Sequence, residues 1–373
     1  MNINSKLQGD DKAQSLTGAV YCLLIITCLF SLNTVAEPYL AVKNNMKCSS
    51  CHINPLGGGA RNSFGNVFGH GQLPAGVSDF TSAEIGKISD FLSIGGNLRY
   101  NAEHSRDDAD NQFSTFRVDS AQLYIAVTPK DTGITFYIDQ QIAPGAAINR
   151  EAFVMYRFDN SHYLKAGKMY LPFGLRLEDD SAFVRQVTGF NFDSSDNGLE
   201  LGLDYGQSTI NLFVTNGTSS VANNDDKFLY GARAEHLFSN FRLGTTALVN
   251  TADEGEQSMF NLYGGLTFGE FTLLAEVDWI NTEQNNADDE SQLVGLFEVN
   301  YQWQQGLNFK FTSEYYDPDD DIEENHETRF SFVAEYTPIS NMQLRLGIRS
   351  SEGIPQQPER SGEKFFLQSH LYF

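Results

Sequence analysis

The chain has 373 residues, enough for a domain of 250 residues or more with a small attachment, and its 41% content of hydrophobic residues excludes general disorder. Aspartate and glutamate number 48 against 25 lysines and arginines, and the formal net charge of −23 argues against a nucleic-acid partner, because phosphate binding needs a basic surface. The 29 phenylalanines, 16 tyrosines and 32 glycines favour strands with aromatic belts and tight turns.

An apolar segment runs from Leu16 to Leu32 and is followed by Thr34-Val35-Ala36. The small residues at its end predict signal-peptidase cleavage after Ala36, so residues 1–36 are interpreted as a signal peptide. A retained transmembrane anchor is the alternative, although the run is short for a hydrocarbon core of about 30 Å. Lipidation of Cys28 is a weaker alternative, because Thr27 is larger than the residue expected before a lipidated cysteine.

The stretch Cys48-Ser49-Ser50-Cys51-His52 has the C-x-x-C-H spacing of covalent haem attachment. Two thiols add across the two vinyl groups of one haem, and the next histidine becomes the proximal iron ligand. An accidental dithiol or half a zinc site is the alternative, but zinc needs two more ligands at matching spacing and none follows. No other cysteine follows residue 36, which excludes a disulfide framework elsewhere. We predict one haem c held by Cys48 and Cys51, with His52 on the iron.

Residues 37–92 are interpreted as a haem-binding plug. Asn54-Pro55-Leu56-Gly57-Gly58-Gly59 and the glycines up to Gly71 predict a close-packing loop, since a flat haem needs backbone near its faces. Thr81-Ser82-Ala83-Glu84 has capping-box spacing, and the apolar residues after it share one face. This pattern predicts a short amphipathic helix at about 82–92.

The sixth iron ligand is assigned to His70, the only other histidine of this segment. Met46 is its only methionine and lies so near the cysteines in sequence that its reach to the distal face looks difficult. A packing histidine beside a five-coordinate or water-ligated iron is the alternative. Arg61 is a candidate partner for a haem propionate, and an ordinary solvated arginine is the alternative.

From Ser93 to Phe373 the sequence consists of segments of about ten residues with period two. In the last segment Phe365, Leu367 and Leu371 lie on one face, and polar residues lie mostly on the other. A strand of this kind with an aromatic carboxyl terminus is typical of an outer-membrane barrel. The same alternation recurs in three further segments: 271–279, 329–336 and 344–349.

The connections between these segments decide the architecture. Short turns are predicted at 129–133, 159–161, 205–207, 238–240, 269–270, 304–306 and 338–341, and long polar stretches at 106–111, 223–226, 285–290 and 318–327. Short periplasmic turns alternating with long outer loops predict an all-β, transmembrane antiparallel barrel of about 16 strands with both ends periplasmic. A soluble sandwich or propeller is the alternative and predicts no such alternation.

Charged residues sort by their place in this pattern. Inward positions carry both signs: Arg99, Arg117, Arg157, Arg233, Arg329, Asp139, Glu200, Asp204, Glu276, Asp278 and Glu314. Most of the excess acid falls in the outer loops, where it is either a solvated surface or a means of concentrating cations at the outer mouth. The loop from Leu175 to Ser195 is the longest, and we expect it to fold into the lumen as a constriction.

A signal peptide, one C-x-x-C-H segment and about 16 strands together resemble the fused cytochrome–porin family, outer-membrane monohaem proteins that include iron-oxidising cytochromes. The resemblance implies a cytochrome segment inside the barrel lumen. We expect outer-membrane lipid and lipopolysaccharide as partners of the protein. The resemblance also implies electron transfer between extracellular donors or acceptors, Fe²⁺ among them, and a periplasmic cytochrome c. Residues 167–173 look like the Pro-Phe strand end of phosphate-selective porins, but no dense inward ladder of Arg and Lys accompanies them.

The sequence therefore supports three functional hypotheses. The leading one is an electron conduit at the outer membrane. The second is a diffusion porin whose haem segment is a structural plug or a redox-gated lid. The third is a barrel with an unhaemylated dithiol that recruits other cytochromes.

Overall fold

The computed structural model describes residues 37–190, 194–219, 222–285 and 288–373, so the predicted signal peptide lies outside the described residues. In the described part, sixteen strands form a closed antiparallel barrel in which each strand pairs with its neighbours in sequence and β1 closes on β16. The strands are β1 (Leu92–Asp107), β2 (Gln112–Val127), β3 (Ile134–Ala143), β4 (Ile148–Arg157), β5 (Tyr163–Met169), β6 (Asp196–Tyr205), β7 (Ser208–Thr215), β8 (Leu229–Leu237), β9 (Phe241–Ala252), β10 (Gly255–Phe268), β11 (Phe271–Gln284), β12 (Glu290–Gln304), β13 (Leu307–Asp317), β14 (Glu327–Tyr336), β15 (Met342–Glu352) and β16 (Gly362–Tyr372).

Period-two alternation separates the two faces of the barrel wall. In β11, Leu274, Glu276 and Asp278 are buried in the lumen, while Phe271 and Trp279 are exposed on the outside. Large apolar side chains are exposed along most strands in the same way. Closure pairs the backbone groups between neighbouring strands, and the apolar exterior suits lipid, so the predicted 16-stranded transmembrane barrel is confirmed.

The turns follow the predicted scheme closely. All seven connections that leave even-numbered strands up to β14 are short and coincide with the predicted turns, and this end of the barrel also holds both chain ends of the wall. The four predicted polar loops lie at the other end. The alternation is nevertheless incomplete, because three connections at the loop end are also short. Residues 108–111 join β1 to β2, residues 144–147 join β3 to β4, and residues 253–254 join β9 to β10, so the stretch predicted as a long loop at 106–111 begins inside β1 and contains a short connection.

Residues 37–91 fill the lumen toward the end with short turns. Helix α1 (Pro38–Lys43) and helix α2 (Ser63–Gly71) belong to this plug, and α3 (Phe183–Gln186) lies in the loop after β5. The plug contacts opposite parts of the wall, because the Ala60 N–H donates to Tyr137 of β3 at 3.0 Å and Lys310 of β13 donates to Glu37 at 2.6 Å. Among the described residues no helix is long and apolar enough to cross a membrane.

Two local predictions for the plug were wrong. Residues 82–91 form turns and bends instead of a helix, because Gly86 has a left-handed φ of +83° and its carbonyl accepts from the N–H of Ile94, which belongs to β1. Residues 63–71, predicted as loop, form α2. Asn62 caps this helix by accepting from the N–H of Gly65 at 2.9 Å.

The long loop after β5 folds into the lumen, as predicted. The N–H of Leu175 donates to Glu276 of β11 at 2.7 Å, and the N–H of Phe183 donates to Glu314 of β13 at 2.6 Å. Both acceptors are buried carboxylates on the inward face of the wall. We call residues 170–190 and 194–195, the described part of this segment, the inward loop.

Candidate functional site

The C-x-x-C-H motif folds into a tight turn. Cys48–Ser50 form a 3₁₀ turn, and the N–H groups of Cys51 and His52 both donate to the carbonyl of Cys48, at 3.2 and 3.0 Å. The amide of Asn62 donates to the carbonyls of Ser49 and Ser50 at 3.2 and 3.0 Å. The residue that caps α2 therefore also fixes the motif against that helix.

Glycines let backbone close around the motif. A Cβ at Gly57 would lie 3.2 Å from the Cβ and 3.4 Å from the Sγ of Cys48 at a φ of +90°, and one at Gly65 would collide with the carbonyl of Cys51. The glycine-rich run is thus a cradle for the two cysteines.

The two thiols and the imidazole line one cavity of about 1170 Å³ between the plug, the wall and the inward loop. Its apolar lining comes from both the plug and the inward loop: Met46, Leu56, Phe68, Leu73, Leu171 and Phe173.

Positive charge borders the same cavity. Arg233 and Arg242 reach it from β8 and β9, and both pair with Glu235, at 2.9 and 3.8 Å. Arg176 and Arg185 reach it from the inward loop. An apolar cavity rimmed by guanidinium groups suits a flat apolar ligand that carries carboxylates.

His52 is held as a neutral imidazole. Its side chain is buried with 7% exposure, and Nδ1 has no hydrogen-bond partner among the described residues. Burial, with the positive charges of Arg61 and Arg176 adding to it, lowers the pKa of His52 to about 3. A neutral imidazole keeps a lone pair available for a metal ion.

Cys48 and Cys51 are both unbridged and half-buried. Burial raises the pKa of the Cys51 thiol, and nearby Arg61 opposes that effect. Two reduced thiols, an unprotonated imidazole, a glycine cradle and an apolar cavity with a cationic rim are the donor set that haem c requires. The residues present therefore fit the predicted cofactor.

The other predicted site residues are distributed differently. Arg61 lines the cavity, and its guanidinium lies 3.8 Å above the ring of Tyr372 in β16, so a stacking contact exists whether or not it meets a propionate. His70 is placed outside the cavity lining, with Nε2 3.1 Å from the carbonyl oxygen of Thr81. The cavity face of α2 is Gly65, Phe68 and Gly69, and His70 lies one position off it. This placement does not favour His70 as an iron ligand, and its assignment stays a prediction.

Met46, which we had set aside, does line the cavity. Asn45 has a left-handed φ of 50°, and the N–H of Met46 donates to the carbonyl of Ala41 at 2.8 Å. The chain reverses at the end of α1, so a residue close to Cys48 in sequence reaches the cavity. An Asn after a short helix was the available sequence signal for this reversal.

Two further cavities continue from this site toward the loop end. A polar cavity of about 740 Å³ shares His52, Arg61 and Arg176 with the first. It shares Arg99 and Asp180 with a vestibule of about 1800 Å³, which lies on the outer side of the inward loop.

Acidic residues of the inward loop pair with basic residues of the vestibule wall. Glu178 lies 3.2 Å from Arg99 and 3.4 Å from Arg345, and Asp179 pairs with Arg349. The charge of Arg349, together with a hydrogen bond from Ser181, holds the pKa of Asp179 below its usual range despite burial. Sequence analysis found the loop but did not pair its acids with these arginines, because pairing across the lumen leaves no local pattern.

Solved structures that match this fold include an outer membrane protein, a porin and an outer membrane channel. OmpTΔL8, a loop-deletion mutant of an outer membrane protein of Vibrio cholerae, matches with a TM-score of 0.62 and 12% identity over 76% of this chain and 99% of that chain. An anion-selective porin from Comamonas acidovorans matches with a TM-score of 0.57 and 10% identity over 76% and 99%. The outer membrane channel DcaP of Acinetobacter baumannii matches with a TM-score of 0.56 and 10% identity over 76% and 97%.

At these identities the likeness establishes the fold alone, and it is the fold of an outer-membrane porin. No family model matches the sequence, and no curated protein does. The haem, its ligands and its electron partners stay predictions.

Proposed function

We propose that this protein is an outer-membrane electron carrier. One haem c is attached through Cys48 and Cys51, with His52 on the iron, and it passes electrons between donors or acceptors outside the cell, Fe²⁺ among them, and a periplasmic cytochrome c. The bound haem supplies a one-electron redox couple. The chain encloses it, sets its charge environment and limits access to it.

One observation carries the proposal: the thiols and imidazole of the motif line a single cavity inside the barrel. A free segment of this size would bury a haem poorly, because domains below about 60 residues are marginal. Here the barrel wall and the inward loop complete the cavity.

Access from both ends also supports an electron carrier. Adjacent cavities that share lining residues extend from the C-x-x-C-H motif to the outer vestibule. At the turn end, the side chains of Phe64 and Val67 in α2 are 50% and 57% exposed. They lie next to Gly65, which packs on Cys51 of the motif, so an apolar surface close to the motif is accessible from this end. One haem cannot cover a core of about 30 Å by itself, so a periplasmic carrier has to dock at this end.

A diffusion porin is the second candidate. The fold comparisons favour it, because the matched proteins include an anion-selective porin and an outer membrane channel. The vestibule with walls of both charge signs also favours it. In this reading the plug is a structural or redox-gated lid.

Covalent haem is tested by expression with the thioether-forming machinery and by a haem stain on a denaturing gel. We expect one haem per chain, its loss from the gel band in Cys48→Ala/Cys51→Ala, and full staining in the matched control Ser49→Ala/Ser50→Ala. A colourless natural protein would reject haem and favour the unhaemylated dithiol.

Electron transfer is tested separately by optical redox titration, followed by mixing with Fe²⁺ and with reduced or oxidised periplasmic cytochrome c. A stained protein that exchanges electrons with neither would reject the conduit. The diffusion-porin hypothesis is tested by measuring conductance in a planar bilayer that contains the protein. Steady, solute-permeable channels would support the porin, and the absence of channel conductance would argue against it.

A further inference from the structure

Glu37 lies inside the lumen, at the beginning of α1. Its side chain is 4% exposed, and the residue borders both the haem cavity and the outer vestibule. From there α1 runs toward the turn end, where Lys43 pairs with Glu270 of the β10–β11 turn at 2.7 Å. The chain therefore runs from the interior of the barrel at Glu37 to the turn end at Lys43.

Glu37 belongs to a buried cluster of charges contributed by the plug, the inward loop and the wall. Oxygen atoms of Glu37, Glu178 and Glu335 all lie within 4.8 Å of one another. Lys310 lies 2.6 Å from Glu37, 3.3 Å from Glu335 and 3.8 Å from Glu298. Arg345 lies 3.2 Å from Glu335.

The cluster is one fixed positive charge short. Among the described residues, the acidic members are Glu37, Glu178, Glu298 and Glu335, and the groups of fixed positive charge within 4 Å of them are Lys310, Arg345 and Arg99. The imidazole of His370 lies 3.9 Å from Glu178 and is positive only when it carries a second proton. Oε1 of Glu37 and Oε2 of Glu178 are buried and have no hydrogen-bond partner among the described residues. An uncompensated buried carboxylate is costly, so a fourth cation or a proton has to complete the cluster.

We propose that the mature chain begins at Glu37 and that its α-ammonium group is the missing cation. Hydrolysis of the Ala36–Glu37 peptide bond consumes one water and leaves a carboxylate on Ala36 and an amine on Glu37. An α-amino group has an ordinary pKa of about 7.7–8.0, so it is largely protonated at pH 7. Covalent geometry keeps it within a few bonds of the Glu37 carboxylate and hence near its partners.

Two other ways of completing the cluster compete with the amine. A divalent metal ion would face the fixed charges of Lys310 and Arg345, which already lie within 4 Å of the same carboxylates. A proton would neutralise one carboxyl and let Glu37 and Glu178 share a hydrogen bond. Burial and the neighbouring charge of Glu178 raise the pKa of Glu37 in that direction while residue 37 carries an amide. An ammonium group on the same residue supplies the positive charge without that proton, and the tests below separate the two. Removal of the leader thus completes the lumen as well as releasing the protein.

The first test locates the amine. Intact mass and amino-terminal sequencing of the purified protein should give Glu37 as residue one. At neutral pH an α-amine-selective reagent should modify the unfolded chain and leave the folded protein in detergent largely unmodified. A different start, or equal labelling of both states, would overturn the proposal.

The second test asks whether an amino-terminal extension reverses the effect of Glu37→Gln on the thermal midpoint. Insertion of Ser-Gly-Gly between Ala36 and Glu37 moves the ammonium away, and we expect the thermal midpoint to fall by several degrees. Glu37→Gln should lower the midpoint of the natural chain, where it removes a balanced charge, and raise it in the extended chain, where it restores balance. The same sign in both chains would exclude the charge role.

Two controls complete the design. Glu84→Gln, at a side chain that is 79% exposed, should change neither midpoint. A chelator that lowers the midpoint of the natural chain would identify a metal ion as the cation and refute the proposal. None of these measurements uses the haem, so their failure leaves the proposed electron transfer standing, and the reverse also holds.

Discussion

Nδ2 of Asn54 donates hydrogen bonds to both carboxylate oxygens of Glu151, at 2.8 and 3.0 Å, and both side chains are fully buried. Asn54 follows His52 by two residues in the plug, and Glu151 belongs to β4. The same carboxylate accepts the N–H of Tyr170 at 3.2 Å, where the inward loop begins. One buried carboxylate therefore fixes the motif, the wall and the inward loop relative to one another.

Replacing Asn54 should loosen the plug. Asn54→Leu keeps a similar volume but leaves the buried Glu151 without two of its donated bonds, and we expect a loss of about 2–4 kcal/mol in the free energy of unfolding. Thermal unfolding and protease sensitivity of residues 37–91 measure the effect. The double variant Asn54→Leu/Glu151→Leu should cost less than the two single changes together, and strictly additive losses would contradict the coupling.

A second prediction concerns the contact between α2 and the motif. Gly65→Ala places a Cβ on the carbonyl of Cys51, so we expect the motif to shift and haem attachment to fall strongly. Gly71→Ala in the same helix is the matched control, because nothing lies within 4 Å of a Cβ there. Haem stain per unit of barrel protein measures both variants. Equal staining of the two would disprove the close packing at Gly65.

Much of the wall could be predicted because its causes are local. Each strand must present apolar side chains to lipid and polar ones to the lumen, which fixes a period of two, and tight turns need glycine or polar residues. Glu276 and Trp279 of β11 lie on the opposite faces that this pattern assigned to them. The C-x-x-C-H motif could also be recognised from the sequence, since thioether and iron chemistry require that spacing.

The plug was harder to predict because its conformation depends on contacts with the wall. The capping-box residues before Gly86 form no helix once that glycine pairs with Ile94 of β1. Residues 63–71 were predicted as a loop because of their glycines, but the capping bond of Asn62 stabilises a helix there despite two internal glycines and a third at its end. The short sequence distance between Met46 and the cysteines also hid the fact that Met46 lines the cavity, since a single left-handed residue, Asn45, redirects the chain.

The placement of His70 yields a third prediction. His70→Ala should leave the reduced-minus-oxidised spectrum of the haem unchanged, because the ring lies at the carbonyl of Thr81 and outside the cavity lining. His52→Ala is the comparison and should change that spectrum, since it removes the proposed proximal ligand. A spectral change in His70→Ala would instead support His70 as an iron ligand.

The fourth prediction concerns Asp180 of the inward loop. Burial raises the pKa of this carboxyl to about 7, and the charges of Arg185, Arg99 and Arg150 only partly oppose it. The folded protein thus binds a proton that the unfolded chain, with a pKa near 4, has already lost. The stabilising contribution is fully present below about pH 4 and is lost as the pH rises through about 7.

Asp180→Asn tests this dependence, because an amide stays neutral at every pH. Asp180 borders two polar cavities, so we discount the contribution for solvent to about 1–2 kcal/mol. The natural protein should lose that stability relative to the variant between pH 4 and 8, as followed by thermal midpoints in detergent. Asp90→Asn, at a side chain that is 90% exposed, should run parallel to the natural protein. A difference between natural protein and Asp180→Asn that does not change with pH would mean that Asp180 is ionised throughout, paired with the arginines of the vestibule.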